Sequence, residues 1–144
     1  MEVSTDALRS LLEKAGIRFT AQRFEMARIL LSRPQHLTAE QVLRLMNRRF
    51  PRASRATVFN NLKLFAQRGV VGLLELKSGV TLYDSNTRRH HHAIDSVTGN
   101  IIDLELNQAL EKRVFAELMQ EYATVTGNNL TQSELQITLR GRAK

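Results

Sequence analysis

Apolar residues recur at intervals of three and four through the first half of the chain, the period of helices with one buried face. In "TDALRSLLEKAG", Leu8, Leu11, Leu12 and Ala15 share such a face, between a start at Thr5/Asp6 and a stop at Gly16. In "TAQRFEMARILLS", Thr20 is placed to cap a helix that offers Phe24, Ala27, Ile29, Leu30 and Leu31 for burial, with Pro34 ending the run. "TAEQVLRLMNRRF" opens on Thr38 with Gln41 three residues on, a capping-box pattern; its apolar face is Val42, Leu45 and Met46, and Pro51 closes it. "SRATVFNNLKLFAQRG" starts at Ser54, puts Val58, Leu62 and Phe65 on one face and terminates at Gly69.

Past Gly69 the period shortens. "VVGLLEL" and "VTLYD" are β-prone runs around the turn "KSG", a hairpin pattern. "HHHAID" and "NIIDLEL" flank a second turn, "SVTGN". "NQALEKRVFAELMQEYA" is an amphipathic helix with Leu110, Val114, Leu118 and Met119 on one side, and "ELQITLR" reads as a last strand. Helices followed by a short hairpin predict a winged helix-turn-helix over residues 1–84, with Ser54–Arg68 as recognition helix. Residues 85–144 predict a small α/β unit, so the fold class is α+β. A hairpin, a helix and a strand are marginal alone, and pairing with a second copy would bury their apolar surface; a homodimer is expected.

Charge adds a partner to this picture. Residues 1–72 hold 13 Lys/Arg against 5 Asp/Glu, a net +8, while residues 73–144 hold 8 against 9, a net −1, giving the chain its +7. A basic helical half suits a polyanion, and double-stranded DNA is the favoured partner. On the recognition helix, Arg55 and Thr57 lie in the first turn, with Asn60, Asn61 and Lys63 off the apolar face. Asn can read adenine edges, and Arg can read guanine or grip phosphate. No run of some 18 apolar residues is present, which argues against a membrane helix. The N-terminus lacks the apolar stretch of a secretion signal, and a cytoplasmic location is expected.

The chain has no cysteine, so disulfides and thiolate zinc sites are excluded and any metal must be held by nitrogen and oxygen. Three of its four histidines are adjacent: His90, His91 and His92. On a strand His90 and His92 would point together and His91 away, which leaves His91 solvated or at most a weak second ligand. Asp84 ends the preceding strand, Asp103 lies on the partner strand, and His36 sits between the second and third helices. Three imidazoles and two carboxylates suit Fe²⁺, Mn²⁺ or Zn²⁺, and five donors exceed the usual four of zinc, which leans toward Fe²⁺ or Mn²⁺.

Four motifs, in order, resemble the Fur family of metal-dependent repressors across nearly the whole length. "FTAQRFEMARILL" resembles the family's "hTxQRxxhhxhL" region and "HLTAEQVL" its "HxTAxxhh" segment. "RASRATVFNNLKLFAQRGVV" resembles the recognition-helix motif around "TVYxNLxxLxxxGhV", and "HHHAID..TGNIIDLE" the stretch around "HHHxhC..CGxhh(D/E)". The resemblance implies a regulatory metal site at His36, Asp84, His90, His92 and Asp103. It adds Arg18, Thr20, Gln22 and Arg23 to the candidate DNA contacts. The family's structural zinc site needs two cysteine pairs; where the first would fall this chain has Asp95 and Thr98, so no Cys₄ zinc is expected. The motif tyrosine is Phe59 here, which removes a hydroxyl from the DNA-facing helix.

An aspartate at the last ligand position, Asp103, resembles the peroxide-sensing PerR branch, whereas iron-uptake regulators commonly have glutamate there. The resemblance then implies a repressor whose metal brings the two domains into a DNA-competent dimer. With Fe²⁺, H₂O₂ would oxidise His36 or His90 and release the promoter; with Mn²⁺ the response would be sluggish. The alternatives are an iron-uptake regulator of the same fold, a non-haem metalloenzyme with a two-histidine, one-carboxylate centre, and a metal buffer. An enzyme is disfavoured, because the sequence offers no nucleophile motif or Gly-rich loop and catalysis would leave the basic helical half unexplained.

Overall fold

The computed structural model describes residues 4–131 and 135–143. The chain divides into two units, Met1–Thr87 and Arg88–Lys144. The division falls three residues beyond the expected one after Asp84, for a local reason. The Ser85 amide donates to the Gln35 carbonyl (3.1 Å) and the Ser85 hydroxyl accepts from the Gln35 amide (2.9 Å), holding the end of the hairpin to the first unit.

In the first unit the elements run α1 (Thr5–Lys14), α2 (Ala21–Leu31), β1 (His36–Thr38), α3 (Ala39–Met46), α4 (Arg55–Gln67), β2 (Gly72–Glu75) and β3 (Thr81–Asp84). The caps are local chemistry. Thr20, Thr38 and Ser54 each accept a backbone N–H from three residues on, and Gln41 returns the bond to the Thr38 amide. At α1 the cap is Ser4 rather than Thr5 or Asp6: its hydroxyl accepts from the Ala7 amide at 3.2 Å, and Thr5 is already helical. Gly16 and Gly69, read as stops, adopt φ of +65° and +68°, where a side chain would be strained.

The core of this unit joins Leu8 and Leu12 of α1, Met26 and Leu30 of α2, Val42 and Met46 of α3 and Val58, Leu62 and Phe65 of α4, with Tyr83 of β3 closing it. The strand order is β1-β3-β2, both pairs antiparallel. β2 and β3 are the predicted wing. β1 is an element the sequence did not announce. The sequence places His36 only between two helices; in the structure it opens a three-residue strand in register with Asp84. So short a run carries no alternation to read, and only pairing with β3 makes it a strand.

The second unit holds β4 (His91–Asp95), β5 (Ile101–Leu104), α5 (Gln108–Thr126) and β6 (Thr138–Gly141). The strand order is β5-β4-β6, with β5 antiparallel and β6 parallel to β4. The final strand therefore starts four residues later than expected from "ELQITLR", whose Glu134 lies outside the described residues. The burial of α5 also departs from expectation. Phe115 is its buried residue, while Leu118 is 53% exposed. Phe115 packs on the His91 ring, centroids 5.5 Å apart, and this contact sets which face turns inward. Among the described residues no helix is long and apolar enough to cross a membrane.

Candidate metal centre and nucleic-acid interface

Each unit carries part of the predicted ligand set. In the first, β1 and β3 place His36 opposite Asp84, and His36 Nε2 lies 3.3 Å from Asp84 Oδ2. Both side chains are largely buried, and the other Asp84 oxygen, Oδ1, accepts the Asn86 amide at 2.8 Å. Burying an aspartate beside an imidazole nitrogen makes a pair ready for a cation or a proton.

In the second unit, β4 and β5 place His92 opposite Asp103. His90 precedes β4 rather than lying in it, yet its ring converges on that of His92. The two Nε2 atoms are 2.9 Å apart and the rings meet edge to face. Asp103 Oδ1 lies 3.7 Å from His90 Nε2 and 3.9 Å from His92 Nε2. His90 Nδ1 is 2.7 Å from the Arg88 carbonyl. A carbonyl only accepts, so Nδ1 donates here and Nε2 is the ring nitrogen turned toward His92 and Asp103. Two imidazole nitrogens and a carboxylate, with no thiolate, form a borderline-to-hard donor set that fits Fe²⁺, Mn²⁺ or Zn²⁺.

His91 corrects the sequence reading. It is 2% exposed rather than solvated. Its Nδ1 accepts the Ile137 amide at 3.2 Å, and Nε2 lies 3.2 Å from Glu111 Oε1. Burial of an alternating strand residue is invisible in sequence until its covering helix is known; the signal, if any, was Glu111 and Phe115 four residues apart on one helix face.

Asp95 and Thr98 form a hydrogen-bonded turn. The Thr98 hydroxyl donates to Asp95 Oδ2 at 2.6 Å, and the Val97 and Ala143 amides reach Asp95 Oδ1 at 3.0 and 3.4 Å. The Thr98 hydroxyl, then the Val97 amide, hold the Asp95 carboxyl below its usual range. Ser96 donates through both its amide and hydroxyl to the Gly141 carbonyl, tying the turn to the end of β6.

The candidate DNA contacts separate into two groups. Arg55, Asn60 and Lys63 are exposed on α4. The Arg55 guanidinium donates to Glu40 at 2.6 Å and sits over the Phe59 ring, 5.1 Å from its centroid. Phe59 is itself exposed beside them. Asn61 is engaged internally: its amide nitrogen donates to the Thr57 carbonyl (2.9 Å) and its oxygen accepts from Arg23 Nε (2.9 Å). Arg23 also donates to the Arg18 carbonyl, Thr20 caps α2, and Thr57 exchanges a 2.8 Å hydroxyl contact with Ser54. Gln22 is half-buried near the start of α2. The Arg23–Asn61 bond thus braces α2 against α4, Arg18, Thr20 and Thr57 are engaged locally at the helix starts, and Arg55, Phe59, Asn60 and Lys63 form the outer face of α4.

Comparison with known proteins places this arrangement. Residues 14–138 match the model of the ferric uptake regulator family. The peroxide-responsive repressor PerR of Staphylococcus aureus (strain Mu50 / ATCC 700699) is 35% identical over 111 residues, 77% of this chain and 75% of that protein. The ferric uptake regulator of Pseudomonas aeruginosa, solved with manganese, superposes with a TM-score of 0.69 at 27% identity, covering 94% of this chain and 97% of that one. A zinc-bound manganese uptake regulator gives a TM-score of 0.70 at 25% identity, covering 95% and 98%. The chain belongs to the ferric uptake regulator family.

Proposed function

We propose that this protein is a homodimeric, metal-dependent transcriptional repressor that binds operator DNA and senses hydrogen peroxide. The observation that carries the metal reading is the His90–His92–Asp103 triad, with His90 Nε2 turned toward the other two. The proposed ligands are His36, Asp84, His90, His92 and Asp103, and the proposed ion is Fe²⁺ or Mn²⁺, with Zn²⁺ also suited to the donors. Arg55, Asn60 and Lys63 are the proposed readers and phosphate contacts; Phe59 offers its ring to a thymine methyl where the family motif has a tyrosine. Pairing of two chains is supported by apolar residues at the surface of the second unit. Ile102, Ala93 and Leu139 form a row across the three strands, and Ile102 and Leu139 are 62% and 57% exposed.

The peroxide reading rests on Asp103 and on the relative named as peroxide-responsive. Iron, when bound, supplies one-electron reduction of peroxide next to imidazole rings. His36 and His90 are the proposed sites of oxygen insertion, and loss of a ligand then weakens the hold on the metal and on DNA. The test is anaerobic loading with Fe²⁺ or Mn²⁺, a low dose of H₂O₂, then peptide mass spectrometry beside an operator gel-shift assay. One added oxygen on the His36 or His90 peptide, with iron alone and with loss of DNA binding, is expected. Metal-dependent DNA binding without histidine oxidation would instead make the protein an iron- or manganese-responsive repressor.

A further inference from the structure

The three adjacent histidines are held by two stretches distant in sequence, α5 and the residues before β6. The Gln136 side-chain amide donates to the His90 carbonyl at 3.2 Å, the Ile137 amide donates to His91 Nδ1 at 3.2 Å, and the His92 amide donates to the Ile137 carbonyl at 3.0 Å. Each histidine therefore has one bond to the two residues before β6. Because His91 Nδ1 accepts, its ring proton is on Nε2, facing Glu111 Oε1. Glu111 also accepts from Arg89 Nε at 3.0 Å. The Arg89 guanidinium lies over the Phe115 ring, 5.4 Å from its centroid, and Phe115 in turn packs on His91. Glu111 and Phe115 are one helical turn apart, so a single face of α5 supplies both contacts. His91, Glu111, Arg89 and Phe115 form a closed ring of contacts around a side chain that is 2% exposed.

We infer that Glu111 and His91 are positioning residues for the metal centre. Glu111 fixes the orientation of the buried His91 ring, and His91 fixes the strand residues on either side of it, so that the His90 and His92 nitrogens stay converged. A strand whose middle side chain swings moves both neighbours. The two converging nitrogens have no slack, since a few tenths of an ångström decides whether both reach one ion. The inference rests on the proposed metal centre and adds to it the route by which α5 governs the affinity of that centre.

The test compares wild type with Glu111→Ala and Glu111→Gln, the glutamine keeping an oxygen that can accept from His91. Mn²⁺ affinity is read by electron paramagnetic resonance, and the visible spectrum of the Co²⁺-loaded protein reports ligand geometry. Circular dichroism without metal checks that each variant is folded. We expect Glu111→Ala to bind Mn²⁺ about 10–100-fold more weakly with an altered Co²⁺ spectrum, and Glu111→Gln to lie close to wild type. A folded Glu111→Ala with wild-type affinity and spectrum overturns the inference. So does a Glu111→Gln as weak as Glu111→Ala, which would make the carboxylate charge, not the hydrogen bond, the active feature. A wild type that takes up neither ion would bring down the proposed metal centre itself, and this inference with it.

Discussion

Glu25 is the sort of residue that a hydrophobic pattern misplaces. It is 2% exposed on α2, among residues chosen for burial because they are apolar. Arg28 donates to both its oxygens, at 2.7 and 3.0 Å, and Arg49 adds a third bond at 3.2 Å. The Arg28 hydrogen bonds hold the carboxyl below its usual 4.5, against the opposing effect of burial. A depressed folded pKa means that the carboxylate stabilises the fold above its unfolded value and loses that contribution as pH falls through the folded one. Glu25→Gln should therefore cost on the order of 1–2 kcal/mol near neutrality, at the low end for a buried carboxylate because both guanidinium groups remain half in water. Its thermal unfolding should also depend less steeply on pH through the acid range. Equal acid sensitivity in variant and wild type would show that other carboxylates set the acid limb.

The recognition helix makes the same distinction at the scale of an element. α4 buries Val58, Leu62 and Phe65 completely, each contributing about 1.5–3 kcal/mol, and this leaves its opposite face exposed. Arg55→Ala is expected to weaken operator binding by about 1–3 kcal/mol and to relax discrimination at one base pair, with unfolding little changed. Asn61→Ala should do the reverse, lowering the melting temperature through two lost internal hydrogen bonds. Fluorescence anisotropy against single-base operator variants, beside thermal melts, separates the two. The helices, the caps of α2, α3 and α4 and the wing were legible in the sequence because hydrophobic period, capping residues and glycine stops are local. The facing pairs His36–Asp84 and His92–Asp103 could be named too, from spacing plus resemblance. β1, the inward role of Asn61, the burial of His91 and the face of α5 were not. Each is decided by a partner dozens of residues away, which one-dimensional spacing does not name.

At the scale of the molecule, the relation between metal and stability follows from what closes the second unit. Ser96 and Asp95 fasten the β4–β5 turn to Gly141 and Ala143 by hydrogen bonds, Thr98 bonds Asp95 within the turn, and the chain has no cysteine. Treatment with a chelator should therefore reduce operator affinity while leaving far-ultraviolet circular dichroism unchanged. Reloading with Mn²⁺ should raise the melting temperature in a concentration-dependent way, as binding to the folded state alone requires. Asp95→Ala should lower the melting temperature with or without metal, an effect that fades as pH drops through the depressed Asp95 value. A chelator that unfolds the protein would mean that an ion, not the turn, secures this unit.

The three-residue strand β1 gives the wing a mechanical property. His36 and Gly72 both lie opposite Asp84, on either side of the middle strand, so the His36–Asp84 pair forms the end rung of the ladder that carries the hairpin. A hairpin clamped at its base is a lever. A displacement of Asp84 would pass along β3 toward the tip at Lys77 and Ser78. Anything that tightens or slackens the rung would thus be felt as a change in the angle of the wing, before any helix has moved.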